Sequence, residues 1–140
     1  MSMLPTRLVV CAVSCVMFSA CTSLQTVRVT ASPEMAAASI RVDVAPSTKA
    51  VQGVSVHEYW QPGNPVRSGS GYETLHFGPA RSAKQEVTKT KWGAPKVMVI
   101  ADLPGVHGDA DSKLEISTSG QKVANVEVTA GGLKLAPAAR

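Results

Sequence analysis

From Ile40 onward the chain alternates apolar and polar positions with a period of two. Ile40, Val42 and Val44 alternate with Arg41 and Asp43, and Val54 and Val56 alternate with Ser55 and His57. Leu75 and Phe77 flank His76, Leu114 and Ile116 flank Glu115, and Val126 and Val128 flank Glu127. Such alternation puts the apolar side chains on one face of a half-buried strand. Val97-Met98-Val99-Ile100 is apolar without interruption. That run predicts a central strand covered on both faces. Gly131-Gly132 breaks or bulges the strand before it, and Leu133 and Leu135 begin another. No stretch past Ser39 carries a helical period. Short strands separated by Pro- and Gly-bearing turns predict an all-β fold, a small antiparallel β-sandwich of the transthyretin or immunoglobulin kind.

The residues before Ser39 read differently. From Thr22 to Ala38 the chain is rich in Thr, Ser and Ala. Val27 and Val29 alternate with Thr26 and Arg28, which permits a short first strand. Ser32-Pro33-Glu34 equally permits a helical turn, with Ser as N-cap and Pro at the first position. The simplest reading of 21–38 is a tether, with the sandwich domain over 39–140. A tether of about 17 residues reaches at most ~60 Å at ~3.3–3.6 Å per residue, so the domain is expected to turn freely.

Residues 1–20 combine a charged start (the amino terminus and Arg7) with an apolar run, Leu8–Phe18, broken only by Ser14. As a helix the run spans about 16 Å, half of a ~30 Å hydrocarbon core, which suits a signal peptide and not a membrane span. Phe18-Ser19-Ala20-Cys21 follows. This resembles the lipobox of bacterial lipoproteins, with Phe18 standing where Leu is usual. The resemblance implies cleavage before Cys21 and acyl chains on its thiol. Two or three such chains anchor stably. The other reading, an ordinary secretory signal, leaves Cys21 as an exposed thiol in an oxidising compartment. Thr22 instead of Asp after the cysteine implies the outer membrane, with the domain facing the periplasm. A secreted soluble protein and the inner membrane are the alternatives.

Composition narrows the function further. The three cysteines are Cys11, Cys15 and Cys21, so the sandwich has no disulfide, Cys-ligated zinc or Cys nucleophile. Charged residues make up 17% of the 140-residue chain and the formal net charge is +4. That profile excludes a wholly disordered chain, a coiled coil and a multi-spanning membrane protein. Arg81, Lys84, Lys89, Lys91 and Lys96 are opposed only by Glu86. They read as lysines guarding a sheet edge, or alternatively as attraction to anionic lipid headgroups. Nucleic acid is not expected as a partner, because no aromatics interleave the basic residues.

Candidate chemistry is sparse. His57-Glu58 lacks the second histidine of a zinc-protease motif. His57, His76 and His107 read as structural or surface residues, and no metal or cofactor is expected. Ser68-Gly69-Ser70-Gly71 lacks the strand–turn–helix setting of a nucleophile elbow, and Asp109-Ala110-Asp111 lacks the further oxygens of a calcium loop. No enzyme is therefore expected. Two Pro- and Gly-rich loops, Gln61–Gly71 and Ala101–Ser112, are longer than hairpins require and are candidates for binding. Tyr59 and Trp60 adjoin the first, which is charged only at Arg67; Leu103 and Val106 lie in the second. These five residues are the candidate partner-binding set. Arg67 is expected at the loop tip, and exchange of Asn64–Ser70 for a Gly/Ser linker is expected to leave folding intact. Tyr59, Trp60 and Trp92 are either core lids or, exposed, anchors for a sugar ring or a partner.

Signal, lipobox, tether and sandwich together resemble the outer-membrane lipoprotein of type VI secretion systems. Ile40–Val44, Pro46 and Val54-Ser55-Val56-His57-Glu58-Tyr59 are similar to the first two strands of that family, where a Tyr closes the second. The family's Pro-Ser-Pro approach and the Gln after the Tyr are absent. The resemblance implies a non-catalytic adaptor, anchored through Cys21, that docks on an envelope protein. The alternative is a small-ligand or glycan-binding module.

Overall fold

The computed structural model describes residues 22–105 and 107–137. Eight strands run β1 Thr26–Ala31, β2 Arg41–Pro46, β3 Glu73–His76, β4 Lys84–Thr88, β5 Lys96–Asp102, β6 Lys113–Ser117, β7 Val123–Thr129 and β8 Gly132–Leu135. They form two four-stranded sheets, ordered β4-β1-β7-β8 and β3-β2-β5-β6. Every pairing is antiparallel except β1 with β7. The two sheets close on a valine-rich core, with Val27, Val29, Val126 and Val128 from one and Val42, Val44, Val97 and Val99 from the other. The small antiparallel-dominated β-sandwich expected from alternation is the fold observed. β4 lies at a sheet edge, as its flanking lysines suggest.

The tether is a correction. β1 lies inside the first sheet between β4 and β7, so the folded domain begins well before Ser39. Leu24 is 1% exposed and lies under Trp92, whose Nε1 donates to the Leu24 carbonyl at 3.0 Å. Burying Leu24, Val27 and Val29 contributes roughly 1.5–3 kcal/mol per side chain, enough to hold this segment in the sheet despite its Thr/Ser/Ala composition. Pro33–Ala37 is helix α1, capped by Ser32 as its sequence permits.

Val54–Tyr59 is a second correction. In place of the expected strand stands a single-turn helix, α3 Val56–Tyr59, flanked by two more, α2 Lys49–Gly53 and α4 Pro65–Ser68. Each begins at a side-chain cap that accepts from the first turn: Thr48, Ser55 and Asn64. Pro65 opens α4 at a position where no N–H is needed. These helices cover the outer face of the second sheet. Met98 and Ile100 of β5 pack there against Val51, Val54 and Tyr59, while Val97 and Val99 face the main core. The continuous apolar run is thus a central strand covered on both faces, one face by a sheet and the other by helices. Lys113 of β6 clamps this layer by donating to the carbonyls of Val51, Gln52 and Val54. A fifth helix, α5 Asp109–Ser112, precedes β6.

Candidate functional site

The helical layer is held by a buried carboxylate. Asp43 alternates with Val42 and Val44 on β2, so it faces outward, as the sequence predicts. The helices then bury it, at 0% exposure. An unpaired charge there would cost many kcal/mol. Four contacts satisfy it. Oδ2 accepts from Tyr59 Oη at 2.7 Å and from Arg67 Nε at 2.8 Å. Oδ1 accepts from Thr74 Oγ1 at 2.6 Å and from Arg67 Nη2 at 3.4 Å. Burial, reinforced by the hydrogen bond to Asp43 and its charge, pushes the Tyr59 hydroxyl well above the ordinary tyrosine range. The hydrogen bond to Asp43 likewise raises Arg67, whose guanidinium stays charged.

Arg67 is therefore not at a loop tip. Asn64 caps α4, and the helix turns Arg67 inward onto Asp43. The guanidinium also lies over the rings of Trp60, at 4.8 Å, and Tyr72, at 4.3 Å. Arg41 lies over the same Trp60 ring at 4.5 Å and pairs with Asp102 at 2.7 Å. Tyr59 meets Trp60 edge to face, with centroids 5.2 Å apart. The Trp60 indole N–H is buried and has no acceptor among the described residues.

Trp60 forms one wall of a cleft of about 330 Å³. Arg41 and Asp102 line it from the ends of β2 and β5, Leu103 and His107 from the following loop, His57 from α3 and Asp109 from α5. Asp109 ties the two sides together, its Oδ1 accepting from the Val56 N–H at 3.0 Å. The chemistry on offer is an aromatic ring, a guanidinium fixed by a carboxylate and two imidazoles, which suits recognition through stacking and hydrogen bonds. Among the described residues no three His, Cys, Asp or Glu side chains come together in a metal-binding group.

Of the residues predicted from sequence, Trp60 and Leu103 meet in this cleft. Tyr59 is wholly buried and supports the cleft wall from behind. Arg67 supports it through Asp43. Trp92 sits in the main core and Tyr59 in the outer cluster, so the three aromatics form no common platform for a sugar ring. Cys21, with the signal peptide expected over 1–20, and Val106 lie outside the described residues. Sequence reasoning missed Arg41 and Asp43, taken as solvent-facing, and the signal that could have exposed them is the row of helix caps at Thr48, Ser55 and Asn64.

No protein-family model matches the chain, and no curated protein matches it in sequence. Solved structures do match. The type VI secretion protein TssM C-terminal domain structure from EAEC aligns with TM-score 0.62 at 11% identity, over 80% of this chain and 99% of that one. Lip of Serratia marcescens, a membrane-bound component of the type VI secretion system, aligns with TM-score 0.59 at 13% identity, over 80% and 96%. The type VI lipoprotein TssJ1 of Pseudomonas aeruginosa aligns with TM-score 0.55 at 14% identity, over 84% and 98%. The chain has the fold of type VI secretion lipoproteins. The alignments span 96–99% of each solved chain and 80–84% of this one.

Proposed function

We propose that this protein is an acyl-anchored, periplasm-facing lipoprotein of the outer membrane. It acts as a non-catalytic adaptor in an envelope assembly of the type VI secretion kind. The observation that carries the reading is the fold likeness to membrane-bound type VI components across nearly their whole length. The segment Phe18-Ser19-Ala20-Cys21, which resembles a lipobox, independently supports the same reading. In this reading the cleft beside Trp60 and Leu103 is the docking surface. Tyr59 and Arg67 hold its wall rigid, which lowers the entropy lost on binding. Val106, on the same loop as Leu103, is proposed as a further contact.

A photo-crosslinking side chain at Gln61, exposed at the cleft, tests this in cells. The expected result is one discrete adduct with another envelope component of the secretion apparatus. Absence of an adduct from both Gln61 and Leu103 contradicts docking at the cleft.

A further inference from the structure

The distance between Cys21 and the folded body bears on how the domain stands on a membrane. The neighbouring residue, Thr22, is already tied down, its carbonyl accepting from the Gly120 N–H at 2.9 Å. Ser23 bridges Ser119, and the Leu24 N–H donates to Thr118 O at 2.8 Å. Consecutive Cα atoms lie ~3.8 Å apart, so acyl chains on Cys21 would start within one residue of the sandwich surface. No stretch of free chain separates them.

The end of the sandwich around that point is basic. Lys89 and Lys91 follow β4, Lys122 precedes β7 and Lys96 opens β5. The backbone joins them to the anchor segment: the Lys89 N–H donates to Gln25 O at 2.9 Å, and Lys122 O accepts from Gln25 at 2.8 Å. Lys89 pairs with Glu73 at 3.7 Å, and Lys96 with Glu115 at 4.0 Å. Lys91 and Lys122 are exposed and make no ion pair among the described residues. The cleft lies at the far end, where β2 begins at Arg41 and β5 ends at Asp102.

We infer that the anchor end, through Lys91 and Lys122, sits directly on the anionic phospholipid headgroups of the membrane that holds the acyl chains, and so fixes the cleft end pointing away. The inference rests on the acylation of Cys21 proposed above. A short hydrogen-bonded anchor restricts rotation, and two free lysines facing anionic headgroups select one orientation from those that remain. Each lysine at an anionic surface strengthens the attraction about fivefold, and the effect fades within a Debye length of ~8–10 Å. Only this end lies close enough to use it.

The test reconstitutes the full mature protein into vesicles of phosphatidylcholine, with and without phosphatidylglycerol. Exposed amines are labelled with a membrane-impermeant acylating reagent. The mass of the N-terminal peptide, read in the same digest, reports acylation of Cys21. Lys84, exposed at the opposite end of β4, is the internal control. The expected result is slower labelling of Lys91 and Lys122 than of Lys84 in both lipids. Phosphatidylglycerol should slow them further, by about fivefold for each lysine in contact, and ~1 M salt should erase that increment. The Lys91→Gln, Lys122→Gln double variant, altered only at exposed positions, should lose the lipid-dependent part of the protection at Lys96. An acylated protein whose Lys91 and Lys122 label as fast as Lys84 overturns the orientation and leaves the anchor standing. Equal labelling with and without phosphatidylglycerol overturns the headgroup contact. A peptide without acyl groups overturns the anchor, and the orientation with it.

Discussion

Tyr59 Oη donates a 2.7 Å hydrogen bond to Asp43 Oδ2, joining the helical layer to strand β2 across a carboxylate with no solvent exposure. Through this contact the wall of the cleft depends on the interior of the protein. Hydrogen bonds to charged groups contribute about 1.5–3 kcal/mol, so Tyr59→Phe should lower stability by that amount in a urea titration, with the slope unchanged.

The same bond sets an alkaline limit. The Tyr59 hydroxyl is raised in the folded state, so its contribution is fully present below the unfolded tyrosine value of ~10 and is lost as pH rises beyond it. Above that point the unfolded chain releases a proton that the folded one retains. Urea midpoints should therefore fall from pH ~9 to pH ~11, and Tyr59→Phe should flatten that decline. An equal decline in both proteins would show that other groups cause it.

Arg67→Ala leaves Asp43 buried without its cation and should cost about 3–5 kcal/mol, a large part of a total near ~5–15. Removing both partners as Asp43→Ala with Arg67→Ala should cost less than the sum of the single changes, since no charge is then left unpaired. Exchange of Asn64–Ser70 for a Gly/Ser linker removes both the α4 cap and Arg67. The expectation from sequence that folding survives this exchange is reversed: the melting temperature should drop severely.

What the sequence disclosed follows from the range over which each interaction acts. Val97–Ile100 declared a doubly covered strand because alternate side chains of one segment both need burial. Period two located β2, β3, β6 and β7, where only one face needs burial. The covering helices α2 to α4 are single turns of four or five residues, too short to show a 3.6-residue period, so only their caps marked them. β1 was half legible in Val27 and Val29. Its place is set by a parallel pairing with β7 nearly a hundred positions downstream, which no local pattern encodes. Asp43 was rightly turned outward. That the outward face would be roofed over, and Arg67 drawn in beneath it, depended on contacts 24 positions apart.

Close packing at one glycine gives a sharper test of the fold. Gly132 has φ +126°, and a Cβ there would lie 2.7 Å from the Asp111 carbonyl oxygen. Gly132→Ala should push α5 away from β8 and destabilise by at least ~1 kcal/mol from backbone strain alone. Gly63→Ala, with φ +77° but open space around it, should cost less in the same thermal melt.

Acylation of Cys21 is the step on which the anchored role depends. Metabolic labelling with a tritiated fatty acid, followed by detergent phase separation, measures it directly in wild type and Cys21→Ser. Wild type should incorporate label and enter the detergent phase, whereas Cys21→Ser should carry no label and appear in the aqueous phase. Unlabelled wild-type protein, or a Cys21→Ser variant that still incorporates label, would contradict the lipoprotein reading.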